Sequence, residues 1–405
     1  MFVYKQEFTV DFNYPVYFLN HIFDSDNSTL VDVIDRLRER RKHKVLVYID
    51  KKVSDCHQNL LESICKYFAK YSSEIVLVAE PQLIEGGEKV KQNWQIVKKL
   101  IDDFRALHMC RQSFIIAVGG GSLLDMAGFA TSLAHRGLRL IRMPTTVLAQ
   151  NDAGVGVKNG INGYGVKNFI GTFAPPFAVI NDFSFLRTLA MRDWTGGIAE
   201  AFKVAIIKDC SFFKFLCNNA LSLYNRDQTT MEKLVKHCAM LHLDHIKNSK
   251  DPFEFGTARP LDFGHWLAHR LEKSTFNKLG HGQAVSIGIA VDSYYSMKKK
   301  LITEECFENI LTGLSNSGLP VWDKFFDHKD CNTVISRGLD EFREHLGGKL
   351  TITLPNPLGK KIEVHKMDKN LIMSAVNYLK NWALKKQLQS VGSKIYKANK
   401  YGFLL

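Results

Sequence analysis

SFIIAVGGGSLLDMAGFATSLAHRGLRLIRMPTT, Ser113–Thr146, contains the unit that decides the fold. SFIIAV is a short β-branched and aromatic run of the length of a buried strand. Three glycines, Gly119, Gly120 and Gly121, follow it directly, and a helix pattern with Asp125 comes next. LRLIRMPTT then reads as a second strand, Leu138 to about Pro144. A strand, a glycine turn, a helix and another strand in about 30 residues point to a parallel crossover unit.

The pattern continues on the N-terminal side. KVLVYID, Lys44–Asp50, is an apolar run ending in an acid, and a helix is predicted from about Asp55 to Tyr71. EIVLVAE, Glu74–Glu80, is the next predicted strand, and QNWQIVKKLIDDFRAL is an amphipathic helix. Short buried strands alternating with helices predict a parallel sheet covered on both faces, a Rossmann-like α/β domain. From about Phe183 the texture changes to long helical patterns. Only KLTITLP and KKIEVHKMD break them, as a predicted hairpin, and GSKIYKANKYGFLL carries no pattern and reads as a tail. The expected organisation is an α/β domain over residues 1–182 and a mainly helical domain over 183–405.

Composition bounds the function. The chain has 405 residues, 45% of them hydrophobic, enough for a large core in two or three domains. The net charge is +13, but the lysines are spread along the chain as on solvated helix faces. No nucleic-acid motif accompanies the charge. The eight cysteines form no CxxC pair, and no apolar N-terminal run reads as a leader or membrane helix. The expectation is a reduced, cytoplasmic protein with no nucleic-acid or membrane partner.

Glycines after a strand let the backbone approach a pyrophosphate at a helix N-terminus. Asp50, at a strand end, suits an adenosine ribose. The same residues also serve a plain tight turn and a helix cap. Further on, GGIAEAFKVAII carries Glu200 and Lys203, DFGHWLAHRLE carries His265 and His269, and LGHGQAV carries His281. A carboxylate and two separated histidines suit zinc, with a position left open for substrate oxygens. A lone histidine is more often structural than ligating, and 14 are present. The string PTTVLAQNDAGVGVKNGINGYGVKNFIGTF, Pro144–Phe173, adds lysines and asparagines suited to a phosphorylated polyol.

These segments together resemble the dehydroquinate synthase superfamily, the sugar-phosphate cyclases, over roughly Asp50 to Lys360. The pattern is most similar to the divergent cyclase homologues of bacterial ebo-type gene clusters. The resemblance implies NAD bound by Asp50, Gly119, Gly120, Gly121 and Asp125, with Glu88 and Lys91 of EGGEKVK near the nicotinamide, and Thr145 and Thr146 as further contacts. It implies zinc, or cobalt, on Glu200, His265 and His281. It gives Asp152, Lys158, Lys167, Lys203 and His269 catalytic roles, and assigns Asn162, Asn168 and Arg136 to substrate. Arg136 would reach the phosphate across a homodimer interface. The implied reaction is a transient oxidation by NAD, β-elimination of phosphate, re-reduction and an intramolecular aldol closure.

The chain departs from the family where a dehydroquinate synthase binds its substrate carboxylate. The family's Arg and Asn appear here as Ala258 and Asp262 in TARPLDFGHWLAHRLE, with Arg259 one residue away. An added carboxylate would repel a carboxylated substrate and suit a neutral polyol end. The family's late lysine falls in EFREHLGGKLTITL, where Arg343, His345 and Lys349 are the candidates. The reading is a sugar-phosphate cyclase of a non-carboxylated substrate. The alternatives are a genuine 3-dehydroquinate synthase, a glycerol-1-phosphate or polyol dehydrogenase of the same fold, and a degenerate binding homologue.

Overall fold

The computed structural model describes the chain except residues 250–252, 254–260, 277, 329–330, 346–347 and 402–405. It divides into two compact units, Met1–Leu189 and Ala190–Leu405.

The first unit holds nine strands: β1 (Val16–Leu19), β2 (His43–Asp50), β3 (Ile75–Leu77), β4 (Gln82–Ile84), β5 (Phe114–Gly119), β6 (Arg139–Pro144), β7 (Lys158–Gly163), β8 (Val166–Phe173) and β9 (Ala178–Asp182). Its helices are α1 (Thr29–Ile34), α2 (Lys51–Cys56), α3 (Leu60–Lys70), α4 (Trp94–Ala106) and α5 (Gly121–Leu133). Seven strands form one sheet in the order β1-β9-β6-β5-β2-β3, with β4 also on β2, and every pairing is parallel. Side chains alternate across it. Val45, Val47 and Ile49 of β2 pack with Leu30, Ile64 and Tyr67 on one face, whereas Leu46 and Tyr48 pack with Val97, Phe104 and Leu124 on the other. Burial on both faces explains why the strands read as continuous apolar runs.

Three local readings need correction. The helix expected over Asp55–Tyr71 is two helices, because Asp50 caps Lys52 and starts α2 early and His57 is non-helical (φ −124°, ψ 74°). The strand expected over Glu74–Glu80 shortens to β3, and a separate β4 follows Pro81, which has no N–H to donate. Strands β1 and β9 have no counterpart in the sequence reading; they add to the sheet beside β6. Strands β7 and β8 form a separate antiparallel hairpin. Its turn, Tyr164 (φ 52°) and Gly165 (φ 75°), has the two left-handed residues of a type I′ connection.

The second unit is helical: α6 (Met191–Lys208), α7 (Cys210–Asn218), α8 (Ala220–Tyr224), α9 (Gln228–Asn248), α10 (His265–Ser274), α11 (His281–Lys298), α12 (Glu304–Asn316), α13 (Cys331–His345) and α14 (Lys369–Tyr401). The predicted hairpin is β10 (Ile352–Pro355) with β11 (Lys361–Val364), antiparallel. The C-terminal segment read as a tail continues α14 to Tyr401. Helix α6 is buried without a break from Trp194 to Ile207, and α11 from Ala284 to Ser296. Helices buried all round have no amphipathic stripe, so they form the centre of this unit. No described helix is long and apolar enough to cross a membrane.

Candidate active site

Two close helix approaches build the chemical centre of the second unit. Gly196 of α6 and Gly282 of α11 touch backbone to backbone, and a Cβ on Gly282 would overlap Gly196. Gly288 of α11 meets Gly264, just ahead of α10, in the same way. Glu200 lies one turn beyond Gly196, and His281 immediately precedes Gly282. His265 is the first residue of α10. Three residues from three helices thereby converge.

Glu200 is fully buried. Its Oε1 lies 3.4 Å from His265 Nε2 and 3.3 Å from His281 Nε2. Neither contact is aligned as a hydrogen bond. His265 Nδ1 is 3.2 Å from the Phe263 carbonyl oxygen, and His281 Nδ1 is 3.1 Å from Glu272 Oε2. Each Nδ1 therefore donates its proton to an oxygen, and each Nε2 keeps a lone pair facing the carboxylate. Lone pairs converging on one point repel unless a cation stands among them. Ligands at 2.0–2.1 Å around a tetrahedral metal are separated by about 3.3–3.4 Å, which matches both distances. Carboxylate and carbonyl partners on the far imidazole nitrogens are the usual outer support of such a centre. The donor set fits a divalent cation.

The other oxygen of Glu200, Oε2, pairs with the buried Lys203 amine one turn along α6. Burial raises the Glu200 carboxyl, but the Lys203 ammonium and, where they carry a second proton, His265 and His281 hold it well below the ordinary value. His269 stands at the exposed edge, its ring 5.4 Å from that of His265 and 6.2 Å from that of His281. Asp262 lies in the turn before α10, half-buried, and its carbonyl oxygen accepts from His265 N–H at 2.9 Å. Ala258 and Arg259 lie outside the described residues. Of the late candidates, Arg343 pairs with Asp340 at 3.4 Å and Lys349 is exposed; the His345 side chain is not described.

In the first unit the glycine turn sits between the β5 end and the first turn of α5. Neither Gly119 nor Gly120 is left-handed, and space is tight only at Gly119, where a Cβ would stand 3.1 Å from Leu123 and 3.2 Å from Asp50. Asp50 ends β2, is buried, and accepts from Lys52 N–H at 3.0 Å. Thr145 N–H donates to the Gly119 carbonyl oxygen at 3.0 Å, whereas its buried hydroxyl has no partner among the described residues. Thr146 caps the next turn through Ala149 N–H at 3.1 Å. The N-terminal N–H groups of α5, a strand-end acid and an orphaned hydroxyl fit an anionic dinucleotide.

Beside this turn, residues assigned separately from sequence form one network. Glu88 accepts from Ser122 Oγ at 2.9 Å and from Asn162 Nδ2 at 3.1 Å. Asn162 Oδ1 accepts from Asn168 N–H at 2.9 Å. Lys91 is buried, 2.7 Å from Asp125 Oδ2, and also donates to Asn168 Oδ1. Asn168 and Asn162, read as substrate contacts, are thus tied directly to Glu88 and Lys91, read as cofactor contacts. Asp152 lies in the π-helical turn Ala149–Ala153, and such turns often mark functional sites. Lys158 is exposed at the start of β7, Lys167 is half-buried on β8, and Arg136 is exposed in a left-handed conformation (φ 62°).

Sequence reading passed over Arg142. It is wholly buried and donates to the carbonyl oxygens of Gly154 (3.2 Å), Gly156 (2.8 Å) and Lys158 (2.9 Å) and to Asn159 Oδ1 (2.6 Å). Burial lowers its pKa. One guanidinium therefore shapes the loop that leads to Lys158. An arginine in the middle of an apolar strand was the available signal, because arginine is almost never fully buried unpaired. Glu272 was legible too, two turns after His265 on the same face.

The family models described as 3-dehydroquinate synthase N-terminal and 3-dehydroquinate synthase C-terminal match residues 82–196 and 197–338. The chain is 32% identical to the 3-dehydroquinate synthase of Campylobacter fetus subsp. fetus (strain 82-40), over 88% of this chain and 98% of that one. Its structure is similar to that of ValA, the 2-epi-5-epi-valiolone synthase of Streptomyces hygroscopicus subsp. jinggangensis 5008 with NAD+ and Zn2+ bound. That match has a TM-score of 0.82 and 26% identity and covers 93% of this chain and 99% of the other. A 2-deoxy-scyllo-inosose synthase complexed with carbaglucose-6-phosphate, NAD+ and Co2+ shares the fold, with a TM-score of 0.72, 22% identity and coverage of 89% and 95%.

Proposed function

This chain belongs to the dehydroquinate synthase superfamily of sugar-phosphate cyclases, and on that premise we propose that it eliminates phosphate from, and cyclises, a sugar phosphate lacking a carboxylate. The observation that carries the cyclase chemistry is the convergence of Glu200 Oε1 with two imidazole Nε2 atoms whose Nδ1 protons are already committed. Zinc or cobalt on Glu200, His265 and His281 would supply Lewis acidity toward substrate oxygens, and NAD at Gly119–Gly121 would supply reversible hydride transfer.

The protein's own groups do the rest. Lys203, held against Glu200, keeps a positive charge where negative charge develops on a substrate oxygen. His269, at the exposed edge 6.2 Å from the His281 ring, would receive an anionic group. In the first unit, Lys158, Lys167 and Asn168 offer cationic and amide donors for phosphate and hydroxyls. Asp152 accepts a hydroxyl proton in a hydrogen bond. Asp50 orients the adenosine ribose. Arg136, exposed beside Gly137, is assigned to the phosphate of a second copy in a homodimer.

Substrate choice turns on Asp262. An acid in the turn before His265 repels a carboxylate and accepts hydrogen bonds from a polyol. A genuine 3-dehydroquinate synthase is the competing reading, favoured by the names of the curated relatives and by Arg259 beside the expected cation position. Phosphate release and NADH should be measured on a carboxylated heptulosonate phosphate, sedoheptulose 7-phosphate and glucose 6-phosphate. The proposal expects phosphate release from a non-carboxylated sugar with no net NADH. Efficient formation of dehydroquinate would overturn the substrate assignment, and stoichiometric NADH would mean a dehydrogenase.

A further inference from the structure

His265 begins α10, where no preceding helical turn fixes its direction. The residue before it, Gly264, is left-handed (φ 78°). Something outside α10 must therefore hold this ligand's backbone. Asp292 of α11 occupies that place. Its Oδ2 accepts from Gly264 N–H at 3.1 Å, and its Oδ1 accepts from Trp266 Nε1 at 2.9 Å. The two donors belong to the residues on either side of His265. Asp292 is 0% exposed and Trp266 1%.

We propose that Asp292 is a positioning residue for the cation centre: it grips the chain on both sides of His265 and so fixes where His265 Nε2 points. Asp292 follows His281 by 11 residues, about three helical turns, and so shares its face. Helix α11 thus supplies one ligand directly and orients a second through Asp292. Burying a carboxylate is costly even with two donors. Replacing a buried ionic group by a packed apolar residue is often neutral or stabilising, so the two hydrogen bonds rather than burial are the contribution this acid makes here. Trp266 supplies the matching donor, and its ring fills the space beside α13 at Gly338.

This inference rests on the metal reading, and the test separates the two. Asp292→Ala, Asp292→Asn, Trp266→Phe and His265→Ala would be made in the full chain. Zn2+ affinity would be measured by chelator competition, and Co2+ d–d absorption would report ligand geometry. His265→Ala should lose stoichiometric metal; if it binds as wild type, the metal reading itself fails. Given that loss, Asp292→Ala should bind Zn2+ about 10–100-fold more weakly with an altered Co2+ spectrum, the range expected for an outer partner of a ligand. Asp292→Asn keeps one acceptor for the indole and should fall between Ala and wild type. If Asp292→Ala does not fold, Trp266→Phe carries the test: a weaker site with a shifted spectrum supports positioning. Wild-type affinity and spectrum in folded Asp292→Ala, or in both Trp266→Phe and Asp292→Asn, would overturn it.

Discussion

The glycine turn of the first unit and the carboxylate–histidine centre of the second present ligands in different ways. The turn works through backbone: helix N–H groups after β5, opened by Gly119–Gly121 and flanked by Asp50. Its parts lie on adjacent strands, β2 and β5, whose parallel register puts Ile49 opposite Val118. The centre works through side chains brought from α6, α10 and α11, residues 200, 265 and 281, which only helix packing can align. A backbone site tolerates side-chain change around it. A side-chain site fails when one ligand or one close helix contact is lost.

The largest expected effect tests that contrast at its core. His265→Ala should lose metal and reduce turnover on the order of a thousandfold or more, since a Lewis acid contributes several kcal/mol to the barrier. Metal analysis and phosphate-release kinetics would check it, and retained stoichiometric zinc would sink the ligand assignment. NAD binding should be unaffected.

Gly282→Ala addresses packing instead of ligation. The added methyl overlaps the Gly196 backbone, and overpacking of this kind costs about 1–3 kcal/mol. A melting temperature several degrees lower, with weaker metal binding, is expected by calorimetry and chelator competition. An unchanged protein would show that the α6–α11 approach is not needed to hold the centre.

On the other side of the comparison, Asp50→Asn keeps the acceptor that caps Lys52 but removes the charge. NAD affinity should fall about tenfold, the difference between a charged and a neutral hydrogen bond. Titration calorimetry would measure it, with metal content as wild type. Equal loss of NAD and metal would break the separation of the two regions. A protein that converts a sugar phosphate yet neither contains nor binds NAD would end the cofactor reading.

The smallest effect lies just beyond α6, outside both regions. Asp209 caps α7 through Phe212 N–H at 2.9 Å and lies 2.9 Å from His237 Nε2. Burial raises its carboxyl, but hydrogen bonds from Ser211, Phe212 and His237 outweigh that and lower it to about 2. A depressed folded value means the unfolded chain takes up the proton first as pH falls. The contribution is therefore present above the ordinary aspartate range and disappears as pH falls through about 2. Asp209→Ala should cost about 1 kcal/mol at neutral pH, with the gap to wild type closing in acid; a gap independent of pH would contradict the capping account.

Much of this was legible in one dimension. β5, the glycines and α5 are contiguous, and burial on both faces gives β2, β5 and β6 the apolar runs by which they were read; β9, equally buried, is a run of only five residues and was passed over. Glu200 and Lys203 lie one turn apart on one helix, so local periodicity joins them. The edge strands β1 and β4 were not legible, because edge pairing rests on a neighbour's free backbone groups and leaves no pattern in four or three residues.

What the sequence alone determined is the alternation of strands and helices, the glycine turn, and the types of residue available as ligands. Local propensity and hydrophobic period act over a few residues, so neighbours suffice to reveal them. The tertiary structure alone decided that the Nε2 atoms of His265 and His281 face one oxygen of Glu200 while Lys203 takes the other. It also decided that Arg142 organises the loop before Lys158 and that Asp292 grips both flanks of His265. These arrangements depend on glycine-to-glycine helix contacts and on buried polar groups finding distant partners. Such partners are chosen by packing in three dimensions, where separation along the chain carries no information.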